Sequence, residues 1–335
     1  MSDAIADPGA YRAPVWLRGG HAQTIWPYFL RRPHVAFRRE RVDTPDGDVW
    51  QFDWLEDAPG PCPLVVLFHG LEGSSGSHYV RALFVRLAEL GWHGVVPHFR
   101  GCADEPNRLP RAYHSGDHEE IAAMLAAVRD RVGPDRLLYL CGVSLGGSAL
   151  LNWLGRAGAE APPAIAAAAA VSAPLDLMAA GRAIDSGANR IYAAHFLQTL
   201  KPKARAMARR FPGRLDASRI DAVRTMWAFD DLVTAPLHGF EGTADYWTRA
   251  SSKRWLANVA VPTLVLNARN DPFVPGDSLP SADEVAAAVV LEQPDEGGHV
   301  GFATGPLPGR IDWLPRRLTA FFAAHPRRHL PAPLE

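Results

Sequence analysis

The sequence predicts an α/β architecture: a mostly parallel central sheet, helices on both faces, and a helical insertion set over the strand ends as a cap. Three observations predict it. Strand-like runs at 63–69, 92–98, 137–143, 164–171, 261–268 and 289–294 are interspersed with stretches of helical periodicity, the pattern of a parallel sheet covered on both faces. These runs stop between about 175 and 250, where helical periodicity alone continues, and then resume. The run at 137–143 leads directly into Gly142-Val143-Ser144-Leu145-Gly146 and a helix over 147–154.

The elements follow in order. Residues 1–40 mix Pro, Arg, Trp and Gly without periodicity and read as an arm packed on the core. His21 within it lacks a second titratable group at useful spacing and reads as a packed or surface residue. Residues 38–55 alternate around Asp46-Gly47, a hairpin signal. The 63–69 run is apolar throughout and reads as a central strand. Val80, Leu83, Phe84, Leu87 and Leu90 share one helical face, with Ser77 as N-cap and Gly91 just past the end. Residues 117–132 form an amphipathic helix with Ile121, Met124, Leu125, Val128 and Val132 inward. A last helix spans about 311–324. The chain thus divides into an arm (1–40), a core (41–174 and 251–325), a cap (175–250) and a loose proline-rich tail (326–335).

Composition narrows the function. The 335 residues are ample for one large core, and a formal charge of −1 gives no global attraction to nucleic acid or acidic membranes. Any partner is recognised locally. Cys62, Cys102 and Cys141 are odd in number and lie mostly in or beside apolar runs, which predicts free buried thiols in a reducing compartment. The N-terminus lacks the basic and apolar regions of a signal peptide, and the aliphatic run at 164–171 is short of the roughly 18 residues of a membrane helix. The expectation is a soluble cytoplasmic protein acting on a small molecule.

A strand–turn–helix with G-x-S-x-G is a nucleophile elbow, a strained corner that raises the serine hydroxyl above the strand ends. A serine needs a base, and the base needs an orienting acid. In this setting the order is serine, acid, histidine. Asp271 follows the strand at 263–268, with Asp277 and the pair Asp230 and Asp231 in reserve. His299 follows the last strand in the glycine-rich loop 295–302. The predicted catalytic residues are Ser144, Asp271 and His299. The oxyanion donors are the backbone N–H groups of Leu145 and Leu71, with His69 bracing the loop. No cofactor is required. His114, Asp117, His118 and Glu119, with His98 upstream, offer metal-ligand chemistry in a spacing that matches no standard site; they open an amphipathic helix. The basic stretch 201–210 reads as a solvated helix face with an anion-attracting alternative.

Several ordered blocks also carry a resemblance. Trp16-Leu-Arg-Gly-Gly-His-Ala-Gln-Thr, His69-Gly-Leu-Glu-Gly-Ser, His98-Phe-Arg-Gly-Cys, Tyr113-His-Ser-Gly, the elbow, Phe229-Asp-Asp, Thr234-Ala-Pro-Leu-His-Gly-Phe240 and Gly297-Gly-His-Val-Gly-Phe302 resemble the YheT-like α/β-hydrolases, related to ABHD-type lipases. The resemblance spans about 14–325. It implies an α/β-hydrolase fold and serine carboxylester hydrolysis of short- to medium-chain esters or acylglycerol lipids, with Ser144, Asp271 and His299 in the triad. The chain departs from the family at Ala103-Asp104 and Asp117-His118, which leaves substrate preference open. An acyltransferase or thioesterase using the same triad, or a non-catalytic binding protein on this fold, are the alternatives.

Overall fold

A computed structural model describes residues 5–30, 33–55 and 62–326. The arm contains a short helix α1 (Gly20–Ile25) and runs to β1 (Phe37–Asp43), which pairs antiparallel with β2 (Val49–Leu55) around the predicted turn. Eight strands form one sheet in the order β1-β2-β4-β3-β5-β6-β7-β8. β2 meets β4 (His93–Pro97) antiparallel. From β4 through β3 (Leu64–Phe68), β5 (Leu138–Val143), β6 (Ile165–Val171), β7 (Thr263–Leu266) and β8 (Val289–Glu292) every pairing is parallel.

The two faces of β5 explain why its run is apolar throughout. Leu138 and Leu140 join Met124, Leu150 and Leu154, from α3 (His118–Val132) and α4 (Leu145–Ala157), in one buried cluster; Tyr139, Cys141 and Val143 join Leu83, Phe84 and Phe322, from α2 (His78–Leu90) and the C-terminal helix, in the other. Tyr139 stacks between Trp92 and Phe322, at 5.4 and 4.9 Å. Burying such rings on both sides removes apolar area from water at about 25 cal/mol per Å². Cys141 is buried, whereas Cys62 and Cys102 are half-buried, less enclosed than their neighbours in sequence implied.

Local signals act as expected with two exceptions. Gly91 ends α2 with φ 67°, but the Ser77 hydroxyl accepts from the Ser74 N–H instead of from the helix. The helix after the elbow starts at Leu145, two residues earlier than its periodicity suggests, because Gly146 and Gly147 already have helical geometry. Asp117 caps α3 by accepting from the Glu120 N–H.

Between β6 and β7 the chain runs through α5 (Leu177–Ile184), α6 (Arg190–Arg210), α7 (Ala217–Ile220), α8 (Met226–Phe229), a π-helical turn (Asp230–Thr234), α9 (Ala235–Leu237) and α10 (Thr243–Ala250). Leu197, Leu200, Ile220, Met226 and Phe229 form a buried cluster within this block. α11 (Trp313–Ala323) returns to the core. Most of the expected tail, 327–335, lies outside the described residues. No helix among the described residues is long and apolar enough to cross a membrane.

Candidate active site

Three loops at the carboxyl edge of the sheet meet here. Ser144 sits at the corner between β5 and α4 with φ 53° and ψ −122°, a backbone state that non-glycine residues rarely adopt. The corner closes because its neighbours lack side chains. A Cβ on Gly146 would lie 2.4 Å from the Phe68 carbonyl oxygen, and one on Gly142 would lie 2.6 Å from that of Gly146. Glu72, Ser172, Val300 and Phe302 also have positive φ. This strain gathers around one site, as functional geometry often requires.

His299 Nε2 lies 3.0 Å from Ser144 Oγ, and His299 Nδ1 lies 2.8 Å from Asp271 Oδ2. An ionised carboxylate only accepts, so Nδ1 carries the proton and Nε2 is left as acceptor for the serine hydroxyl. The other oxygen of Asp271 accepts from the Phe273 and Val274 N–H groups, at 2.8 and 3.3 Å, which fixes the carboxylate. The Phe273 ring lies 4.2 Å from the imidazole. The structure brings together Ser144, Asp271 and His299, residues 127 and 28 positions apart in turn along the chain. The reserve acids lie elsewhere: Asp277 is exposed, Asp231 accepts from the Thr243 N–H, and Asp230 is buried in the cap.

The loop after β3 passes beside the hydroxyl, since a Cβ on Gly70 would come within 3.7 Å of Ser144 Oγ. The Gly70 N–H donates to Tyr79 Oη at 3.0 Å and the Glu72 N–H to Tyr113 Oη at 2.8 Å. Between them, the Leu71 N–H has no acceptor among the described residues, and neither does that of Leu145 in the first turn of α4. Leu145 follows Ser144 and Leu71 follows Gly70, so both unpartnered amides lie in the segments that flank the hydroxyl. His69 holds this loop: its Nδ1–H donates to the Gly70 carbonyl at 2.8 Å, and its Nε2 accepts from the Phe99 N–H at 3.2 Å. Burial pushes its pKa down to about 3, so the ring stays neutral.

The histidine loop is held by the arm, which sequence reasoning missed. The Gln23 side-chain oxygen accepts from the Gly297 N–H at 2.7 Å and from Asn270 Nδ2 at 3.0 Å, while its Nε2 donates to the Leu17 carbonyl. Thr24 Oγ1 accepts from the His299 N–H at 2.9 Å, and Ser172 Oγ from that of Val300 at 3.0 Å. A Cβ on Gly301 would lie 2.1 Å from the Gln23 carbonyl oxygen, so only glycine lets α1 approach this closely. The signal was present in His21-Ala-Gln-Thr, but nothing local says what a buried glutamine faces. His21 itself is exposed and reaches Tyr192 Oη on α6 at 2.9 Å.

The histidines of the metal reading go to separate partners. His98 lies between the Gln51 carbonyl and the Ser75 N–H; His114 accepts from the Gly116 N–H and packs against His238, Phe240 and Tyr246; His118 opens α3. No group of three or more ligating side chains gathers among the described residues. The basic stretch is not simply a solvated face. Lys203 pairs with Glu72 at 2.8 Å, and Arg210 donates to the Asn107 carbonyl.

A cavity of about 420 Å³ opens from Ser144 and His299 beneath the cap. Its walls are largely apolar, including Leu177, Ile184, Phe196, Leu200, Met226 and Val233. Trp247 forms part of the wall, its indole resting where a Cβ on Gly181 would come within 2.2 Å.

Comparison with known proteins identifies the fold family. Residues 63–306 match the model of the alpha/beta hydrolase fold family. The chain is 37% identical over 305 residues to "Putative esterase YheT" of Escherichia coli (strain K12), covering 89% of this chain and 88% of that one. It is 29% identical over 324 residues to "Phospholipase ABHD3" of Homo sapiens, covering 94% and 78%. Among solved structures, VinJ superposes with a TM-score of 0.55 at 20% identity over 86% of this chain and 99% of that one. The Pyrococcus furiosus esterase Pf2001 does so at 0.55 and 14%, over 96% and 98%. The two structural likenesses speak to the fold. The sequence relatives, taken with it, support hydrolysis of esters. This chain belongs to the alpha/beta hydrolase fold family, in its YheT-like branch.

Proposed function

We propose that the protein is a serine carboxylester hydrolase that cleaves short- to medium-chain acyl esters through a covalent acyl-enzyme. The observation that carries this reading is the unbroken chain of hydrogen-bond distances from Ser144 Oγ through His299 to Asp271, 3.0 and then 2.8 Å. Ser144 Oγ attacks the ester carbonyl carbon as its proton passes to His299 Nε2. The carbonyl oxygen takes the negative charge and accepts from the Leu71 and Leu145 N–H groups, a contribution of roughly 3 kcal/mol per donor. Asp271 stays ionised and stabilises the imidazolium. His299 then gives the proton to the leaving alkoxide. Water, deprotonated by the same ring, releases the acid from Ser144. The block at 175–250 acts as the cap, and the acyl chain lies in the apolar cavity beneath it, which falls within the usual size range for small-molecule sites.

A series of p-nitrophenyl esters graded by chain length tests this. The expected result is an initial burst, a rate maximum at short to medium chains that fit the cavity, and loss of turnover in Ser144→Ala. Undiminished turnover in that variant would falsify the assignment. Adding an alcohol or a thiol as competing acceptor separates hydrolysis from acyl transfer, since a hydrolase gives free acid as its main product.

A further inference from the structure

Helix α1 has two working sides. The side carrying Gln23 and Thr24 holds the His299 loop. The other belongs to an apolar face on the protein surface. Val15, Ile25, Phe29 and Leu307 are 80%, 41%, 75% and 67% exposed, with Trp16 and Trp26 half-buried among them. Its aromatic part is continuous. The two indoles pack edge to face at 5.5 Å, and Phe29 follows Trp26 at 6.5 Å. Trp16 Nε1 donates to the Gly305 carbonyl and Trp26 Nε1 to that of Pro308, on either side of Leu307. The polar edges of both indoles are thus engaged by the protein, and what they offer to solvent is ring carbon.

Charge selects what this face meets. Residues 8–30 contain two arginines, Arg12 and Arg18, and neither aspartate nor glutamate, in a chain whose overall charge is −1. Arg12 and Arg18, within three residues of Val15 in the sequence, are exposed and form no ion pair with a described residue. Exposed aromatic rings with unpaired cations close in sequence suit the headgroup region of a bilayer, where rings settle at the acyl boundary and cations attract anionic lipid. A second copy is a poor occupant, since twofold pairing would set arginines against arginines. We propose that this face docks the protein on the surface of an anionic lipid bilayer, as a peripheral contact beside the catalytic loop.

The test uses the full chain and vesicles of non-hydrolysable diether lipids, one set phosphatidylcholine alone and the other equimolar with phosphatidylglycerol. Sedimentation should show binding to the anionic vesicles, weakened by salt, and at least about tenfold weaker binding to phosphatidylcholine. Phe29→Ser with Leu307→Ser should lower binding to anionic vesicles by at least about tenfold. Its thermal melt and its turnover of a water-soluble ester should be unchanged; the melt reports folding whether or not the protein is an esterase. Absence of wild-type binding to anionic vesicles, or equal binding by the double variant, overturns the proposal. So does self-association that the double variant abolishes without any vesicle binding, which assigns the face to a second copy.

Discussion

Lys203 Nζ, on α6 of the cap, lies 2.8 Å from Glu72 Oε1, and Glu72 follows the proposed oxyanion donor Leu71. The same carboxylate oxygen accepts from Tyr113 Oη at 3.0 Å, while the Glu72 N–H donates back to that hydroxyl. Glu72 also has φ 56°. Its side chain therefore ties a strained turn both to the core and to the cap.

Replacing Glu72 and Lys203 should have unequal effects. Lys203 is about half exposed, so Lys203→Met is expected to cost under about 1 kcal/mol of stability and to slow turnover only a few-fold. Glu72→Ala removes the acceptor for Tyr113 as well and frees the turn. It should lower kcat by at least about tenfold with little change in KM, because a donor to the oxyanion acts only in the transition state. Glu72→Gln, which keeps an acceptor for Tyr113, should recover most of the loss. Equal kinetics for Glu72→Ala and wild type would show that the turn holds without its carboxylate.

Gln23 is fully buried and serves both loops that carry the proposed acid and base. Gln23→Ala leaves the Gly297 N–H and the Asn270 amide without their acceptor, at about 1–3 kcal/mol for each unsatisfied group. A lower melting temperature is expected, together with a fall in kcat at nearly constant KM. A drop in stability with unchanged kcat would mean that the His299 loop keeps its place without α1.

These contacts mark where sequence reading stops. The strands, the elbow and the loop positions of Asp271 and His299 are legible because each depends on neighbours within a few residues: an apolar run, a glycine at a crowded corner, a polar group just past a strand. Gln23 meets Gly297 across 274 positions and Thr24 meets His299 across 275. No periodicity encodes such partners. The cap is legible as helical, yet the path that sets Trp247 against Gly181 is decided by packing between helices. In the sequence Lys203 is one cation among several on a helix face that reads as solvated. Its role follows only from the approach of α6 to the turn after β3.

Asp230 offers a test in pH. It is buried in the cap, where its carboxylate accepts from Thr234 Oγ1 at 2.6 Å and Trp247 Nε1 at 2.8 Å, and burial raises its pKa to about 6. A raised folded-state pKa contributes stability below the ordinary carboxylate range, and that contribution is lost as pH rises through 6. Asp230→Asn stays neutral and still accepts from Trp247, so it should match wild type near pH 4. Above pH 6 it should exceed wild type by on the order of 2–3 kcal/mol. Comparing the two proteins cancels His69 and His114, whose rings burial keeps neutral down to about 3 and which weaken the fold as pH falls below 6.5. Denaturant melts across this range check the difference; a gap that does not widen with pH contradicts the assignment.

The central claim is that the Ser144 hydroxyl is made nucleophilic by His299 and Asp271. Intact-mass measurement after treatment with a fluorophosphonate, followed by peptide mapping, tests it most directly. One adduct per chain, located on Ser144 and formed orders of magnitude more slowly in His299→Ala, is the predicted result. An adduct on another residue, or labelling of Ser144 at the same rate without the imidazole, would contradict it.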